Sequence, residues 1–400
     1  MLRIVIVSVF YAEGMGYSEN CLPKALAALG HDVHVISSNT LNPYYSEEEY
    51  TKNYASFLGP ANQETGTFTI NGYTVHRLKY KKVYGYIYIK GLKNKLKQLK
   101  PDIVQCTEIA SLNTFALVLL KKSLKFHLFT ETHQHLSVMK SFMRQSSGSV
   151  LKKIAYKLTR TLPSYLASKA IEKCYAIAPD CVEVANIYYG VPKHKIKLQP
   201  LGTDTILFHP AVSQDEIYNR QQIRSELGYT ESDIVCIYTG RFSKDKNPLL
   251  FAKAISNLAN RNLSFHGLFI GSGVQQAEIE QLNNTQILPF IKYDKLANYY
   301  RAADIGVWPT QESISMLDAA ACGIPLVVSD KIGEVNRVIG NGYLYNEGDS
   351  NDLSLTLEKL IDKNKRIRFG IAGSQKMADN YSWEKIAKNI EADYLKKTIK

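Results

Sequence analysis

The segment "DIGVWPTQESISMLDAAACGIPLVVSD", residues 304–330, joins three kinds of sequence. Ile305 to Trp308 form a short apolar run, as in a buried strand. Pro309 to Ser313 are mostly polar. Ile314 to Ala321 combine small and apolar residues at helical spacing, and Cys322, Gly323 and Pro325 end them. A second apolar run, Leu326 to Val328, follows directly. Two strands joined by a helix must run parallel, with a right-handed crossover. The polar turn then lies at the carboxyl end of the first strand, where ligands bind in such sheets. It holds Glu312, and Asp318 follows inside the helix. The first amides of a helix lack intrahelical partners and attract an anion. Asp318 lies too deep to share that anion but can reach a ribose attached to it, while Glu312 can accept hydrogen bonds from a hydroxylated group. The acids would thus bracket a nucleoside diphosphate carrying a sugar. The competing reading is an N-cap Glu and a solvated helix Asp.

The same alternation runs outward in both directions. "LRIVIVSVF" (2–10) reads as a strand, "SENCLPKALAALG" (18–30) as a helix ending at glycine, and "DVHVISS" (32–38) as a strand. Residues 39–63 read as a long polar loop. "GTFTINGYTVHRL" (66–78) carries Asn71-Gly72 between β-rich runs, a hairpin signal. A basic helix is expected next. Strands "DIVQC", "FHLFTET" and "CYAIA" then alternate with helices, one over residues 150–173. Residues 188–210, rich in glycine and proline, read as a connector. Alternation resumes from "DIVCIYTG" (233–240), and helices fill the chain from about residue 350. The expected class is α/β: two doubly wound, mostly parallel-sheet domains facing a cleft. Their expected bounds are 1–190 and 191–380, with a C-terminal helix, 381–400, packing back on the first domain.

Four hundred residues suit two domains, and 45% hydrophobic content supports sizeable cores. No apolar run approaches the roughly 18–20 residues of a membrane span, and "MLRIVIVSVF" reads as a buried strand, not a leader peptide. The six cysteines form no C-x-x-C pair, which suggests reduced thiols and a cytoplasmic location. The formal charge of +12 is concentrated: Lys79 to Lys100 hold eight lysines and no acid. His133 to Ile171 also lack acids while carrying Lys140, Arg144, Lys152, Lys153, Lys157, Arg160 and Lys169. A solvated basic face and an anionic membrane or acceptor surface both fit. No nucleic-acid motif accompanies the charge, so nucleic acid is not an expected partner.

The loops after strands carry the remaining chemistry. "GRFSKDKNP" (240–248) offers Arg241 and Lys246 beside a turn opened by Gly240, a pair suited to a pyrophosphate. A solvated basic loop is its competing reading. Gly14 and Gly16 in "EGMGYSEN" permit close backbone approach, but the third position of a dinucleotide fingerprint falls on Glu19. "GSGVQQ", with Gly273, likewise has Gln276 there. "TETHQH" ends a strand with His133 and His135. With no Asp-x-Asp motif in the chain, His133 is better suited to a sugar hydroxyl than to a metal; a satisfied structural histidine is the alternative.

Together these segments resemble the family-4 retaining glycosyltransferases, whose GT-B fold pairs two Rossmann-like domains. The resemblance spans nearly the whole chain and rests on "LAALGHDVHVIS", "KIKLQPLGTDTILFHP", "YTGRFSKDKNP", "FIGSG", "YYRAADIGVWPTQE", "LDAAACGIPLVVSD" and "YSWEKIAKNIEADYL". It implies sugar transfer with retained configuration, from a nucleoside diphosphate sugar to a saccharide or lipid-linked hydroxyl acceptor. No cofactor and no divalent metal are implied. Arg241 and Lys246 match the diphosphate-binding pair and His133 the histidine near the sugar. Glu312 matches the acid that holds the sugar, and Asp318 the acid on the ribose. Gly14, Gly16, Gly240, Gly273, Ile291, Ser313, Ile314, Ser315 and Met316 are the further residues expected to line the donor. One departure stands out. Five residues separate the acids where the family has seven, Ser313 replaces a glycine, and the second acid is Asp. The loop at Glu312 is therefore two residues shorter. The rival readings are a nucleotide-sugar epimerase or sugar-phosphate synthase on the same fold, and a non-catalytic sugar-binding subunit.

Overall fold

A computed structural model describes residues 1–42, 46–83, 86–145, 154, 158, 161–310 and 312–398. The chain divides into two compact units. The first comprises residues 1–13, 17–201 and 386–400, and the second residues 14–16 and 202–385. The strands of the first unit are β1 (Arg3–Ser8), β2 (Asp32–Ser38), β3 (Gly66–Ile70), β4 (Tyr73–Leu78), β5 (Tyr80–Val83), β6 (Tyr86–Ile89), β7 (Ile103–Cys106), β8 (His127–Thr132), β9 (Cys174–Ala176) and β10 (Ile196–Leu198). Eight of them form one sheet in the order β10-β9-β8-β7-β1-β2-β4-β3. Every pairing in it is parallel except the β3–β4 hairpin, turned by Asn71 and Gly72 with φ of 47° and 84°. The left-handed backbone of that turn is what an Asn-Gly pair supplies cheaply. The central strands β1 and β7 are buried along their length, apart from Arg3 at the start of β1, as their unbroken apolar runs require.

The second unit contributes β11 (Ile234–Thr239), β12 (Phe265–Ile270), β13 (Thr285–Leu288), β14 (Ile305–Trp308), β15 (Leu326–Ser329) and β16 (Gly342–Tyr345). They form a fully parallel sheet in the order β13-β12-β11-β14-β15-β16. The chain builds outward from β11 to β13, then returns to the other side of β11 with β14. Strand order thus reverses between β11 and β14, which opens a crevice at their carboxyl ends. In the first sheet the same reversal lies between β1 and β7.

Several expectations shift. β10 lies inside the expected connector and pairs with β9, so the first unit extends to Leu201 instead of ending at 190. The expected basic helix is two elements: the β5–β6 hairpin, then a helix Leu92–Leu99. Ile87 and Ile89 are buried alternately, a period of two that the lysines obscure in the sequence. The polar stretch 39–63 holds short helices Glu47–Asn53 and Ala55–Leu58, the first capped by Ser46, whose hydroxyl accepts from the Glu49 amide at 3.1 Å. Lys152, Lys153, Lys157 and Arg160 lie outside the described residues, and of the helix expected over residues 150–173 the part Leu162–Ala170 is seen.

The last helix, Trp383–Thr398, docks on the first unit through Asp393. Its carboxylate meets Lys173 at 2.7 Å and Lys197 at 2.8 Å. Burial alone would raise that acid, but the two ammonium groups outweigh it and hold the acid below its usual value. Among the described residues no helix is long and apolar enough to cross a membrane.

Candidate functional site

Four loops at the carboxyl ends of β11, β12, β14 and β15 build the site in the second unit. The loops after β11 and β12 interlock. Gly240 donates to the Ile270 carbonyl at 3.0 Å, Phe242 to Ser272 at 2.9 Å, and Gln275 to Phe242 at 3.0 Å. A Cβ at Gly271 would stand 2.0 Å from the Gly240 oxygen, and one at Gly273 would stand 2.6 Å from the Phe242 oxygen. Only glycine permits this approach. The packing fixes the turn that presents Arg241, exposed, and Lys246, partly buried. Burial pulls the Lys246 ammonium below its ordinary pKa, partly opposed by Asp245. The loop after β14 then joins this pair: Thr310 donates to the Asp245 carbonyl at 2.7 Å, and Lys246 to the Glu312 carbonyl at 3.3 Å.

Ser313 is the N-cap of the helix Ile314–Ala321, in extended conformation, and its side chain caps no amide. Its hydroxyl instead lies 2.9 Å from that of Ser315, which reaches the Thr239 carbonyl at 3.3 Å and accepts from the Trp308 indole at 3.2 Å. The first turn holds no acid. A helix start at the strand crossover, without a resident carboxylate and beside two cations, suits an anion. Met316 is fully buried beneath it, and Ile291 packs against the same core from the loop after β13.

Asp318 lies one turn into this helix and is 2% exposed. Thr203 donates to its Oδ1 at 2.7 Å. Burial raises the acid to about 8; the Thr203 bond opposes the rise and the charge of Asp204 adds to it. Glu312 is placed differently. Its Oε1 accepts from the Glu334 amide at 2.6 Å and its Oε2 from Arg337 at 2.7 Å. The second unit therefore gathers Lys246, Glu312 and the helix start around one loop set, with Asp318 beneath. The sequence singles out the loop 202–204 but assigns Thr203 no role, and no motif signals Arg337.

His133 belongs to the first unit. Its Nε2 lies 2.7 Å from Glu131 Oε2, and its side chain is 33% exposed. Glu131 Oε1 accepts from Gln105 at 2.5 Å, and Gln105 accepts from the Tyr394 hydroxyl at 2.5 Å. Burial disfavours the imidazolium, but the Glu131 bond and the charges of Glu131, Glu19 and Glu108 outweigh it and raise His133. Glu131 is two residues away on an extended chain, so both side chains share one face; that spacing was a readable signal. His135 turns elsewhere, to Asp180 at 3.1 Å. Its Nδ1, the Asp180 carboxylate and Cys181 Sγ lie within 4.8 Å of one another, a trio of metal-ligand types that the sequence reading did not assemble. Asp180 also accepts the Leu136 amide at 3.0 Å, as a helix-start acid does. Gly14 adopts φ of +70°, and Gly14 to Gly16 group with the second unit. Glu19, in the first turn of the helix Ser18–Ala28, is buried and raised to about 7.

Residues 21–206 match the profile of Glycosyltransferase Family 4, and residues 233–390 that of Glycosyl transferases group 1. The chain belongs to this glycosyltransferase family. A sucrose-phosphate synthase from Thermosynechococcus elongatus superimposes with a TM-score of 0.68 at 18% identity, over 100% of both chains. HepE from Anabaena, solved with UDP-glucose, gives 0.65 at 15% identity over 98% of this chain and 99% of that one. These likenesses establish the GT-B fold for this member. Among curated relatives, Spore coat protein SA of Bacillus subtilis is 25% identical over 231 residues, 51% of this chain and 59% of that protein. A D-inositol 3-phosphate glycosyltransferase of Geodermatophilus obscurus is 27% identical over 229 residues, 52% and 48% of the two. The chain thus spans about half the length of the curated relatives it matches.

Proposed function

We propose that the protein transfers a sugar, with retention of configuration, from a nucleoside diphosphate sugar to a saccharide or lipid-linked hydroxyl acceptor. The observation that carries this is the gathering of Lys246, the helix start at Ser313, Glu312 and Asp318 on the loops flanking the β11/β14 crossover. The helix start and the two cations, Arg241 and Lys246, receive the diphosphate. Charge that develops on it as the glycosidic bond breaks meets donors already in place, the electrostatic contribution that commonly dominates such reactions. Asp318 takes the ribose and Glu312 the transferring sugar. His133, with Nε2 committed to Glu131, offers its other nitrogen to a sugar hydroxyl. Because fixed cations carry the leaving-group charge, the reaction needs no divalent ion. HepE, which shares the fold, was solved with UDP-glucose, a donor of this class.

The acceptor side is a membrane surface on the cytoplasmic face. Support comes from the helix Leu162–Ala170, where Leu162, Tyr165 and Leu166 are 48%, 47% and 46% exposed on one face. Ile154 and Leu158 are exposed at matching spacing, and Lys169 sits over the Tyr165 ring. An outward apolar stripe edged by lysine is the pattern of an interfacial helix.

The test is a screen of UDP-, GDP- and ADP-sugars with lipid-linked acceptors, with product configuration read by NMR. An α-linked product from an α-donor supports the proposal. An inverted product would overturn the retaining mechanism, and donor conversion without an acceptor would favour the epimerase.

A further inference from the structure

Both carboxylate oxygens of Glu312 are held within the second unit, and its side chain stays 19% exposed. Its two carboxylate oxygens accept one bond each, from the Glu334 amide at 2.6 Å and from Arg337 at 2.7 Å. Arg337 ends a short 3-10 turn, Val335–Arg337, in the segment that follows β15. Its side chain is 8% exposed, and its guanidinium lies 5.7 Å from the centre of the Tyr381 ring. Its Nε is buried with no hydrogen-bond partner. A buried guanidinium is costly unless a carboxylate faces it, and Glu312 lies within ion-pair distance at 2.7 Å. The backbone fits the same contact: a Cβ at Gly333 would lie 3.4 Å from Glu312 Oε1. The loop from Pro309 to Ser313, two residues shorter than in the family, is thus tied to the next loop by one acid.

A carboxylate has about four acceptor directions. Two bonds leave capacity for a ligand's hydroxyls while removing the carboxylate's freedom to rotate. We propose that Arg337 is a positioning residue that, with the Glu334 amide, aims Glu312 at the hydroxyls of the transferring sugar. This rests on the reading above that Glu312 meets that sugar.

The test compares Arg337→Met, Arg337→Lys, Glu312→Gln and the Arg337→Met/Glu312→Gln double variant. Each is measured for kcat, donor KM, affinity for free nucleoside diphosphate, and Tm. Positioning predicts that Arg337→Met lowers kcat about ten- to a hundredfold, as expected for loss of one charged hydrogen bond at the reacting end. Nucleoside diphosphate affinity stays within about twofold, Arg337→Lys recovers part of kcat, and the double variant is no slower than Glu312→Gln. Wild-type turnover by Arg337→Met, with Glu312→Gln impaired, would overturn the proposal and spare the reading of Glu312. Losses of kcat, affinity and Tm together, unrescued by lysine, would make Arg337 structural and also overturn it. Normal turnover by Glu312→Gln would overturn the reading of Glu312 itself.

Discussion

Asp318 carries a carboxyl where water barely reaches, and that sets its titration. Its folded pKa of about 8 lies above the unfolded value near 4. Between those values the folded chain keeps a proton that the unfolded chain has released, so Asp318 makes stability fall as pH rises through that window. Asp318→Asn removes this contribution. Urea midpoints measured from pH 5 to 9 should decline less steeply in the variant, whereas identical slopes would show that Asp318 does not titrate as described. The same substitution should weaken donor and free nucleoside diphosphate alike, because both carry the ribose. Arg241 and Lys246 fail differently. Charge-assisted hydrogen bonds contribute about 1.5–3 kcal/mol each, so either alanine variant should lower kcat/KM roughly ten- to several-hundredfold. Near-wild-type kinetics in both would remove the pair from the site.

Among elements, the interlocked loops after β11 and β12 are the least forgiving. A methyl at residue 271 would need the Gly240 carbonyl, 2.0 Å away, to move. Gly271→Ala should cost about 1–3 kcal/mol and lower Tm by roughly 2–4 °C per kcal/mol in a unit of this size; an unchanged Tm in a thermal melt would mean that the loops separate easily. Elements whose period was clean, such as β1, β11 and the helix Ile314–Ala321, were legible in the sequence. So was the helix start at Ser313, because a polar turn met a small-residue helix. The β5–β6 hairpin was not, since its lysines resemble a basic helix. β13 and β16 were missed because their four residues are mostly half-buried and form no unbroken apolar run, unlike the equally short but fully buried β14 and β15. In the site, Arg241, Lys246 and Asp318 could be placed from motif and strand position. The clamp on Glu312 could not, because Arg337 lies 25 residues on, beyond β15, and only the tertiary fold brings it to the acid.

For the whole molecule, the proposed membrane surface can be tested through the charge it would meet. Lys79, Lys81, Lys82, Lys90, Lys93, Lys97 and Lys100 are exposed on or beside the β5–β6 hairpin and the following helix. Binding to anionic vesicles should therefore exceed binding to neutral ones and weaken with salt, since exposed charges are screened over about 8–10 Å at physiological ionic strength. Co-sedimentation checks this; equal, negligible binding to both at low salt would mark the face as simply solvated. The proposed nucleoside diphosphate site on the β11/β14 crossover should fill without a metal ion. Its most direct test is calorimetric titration of UDP, GDP and ADP in EDTA into wild type and Lys246→Ala. One of the three should bind the wild type and bind the variant roughly tenfold or more weakly. Binding that appears only when Mg²⁺ or Mn²⁺ is restored, or that ignores Lys246, would contradict it.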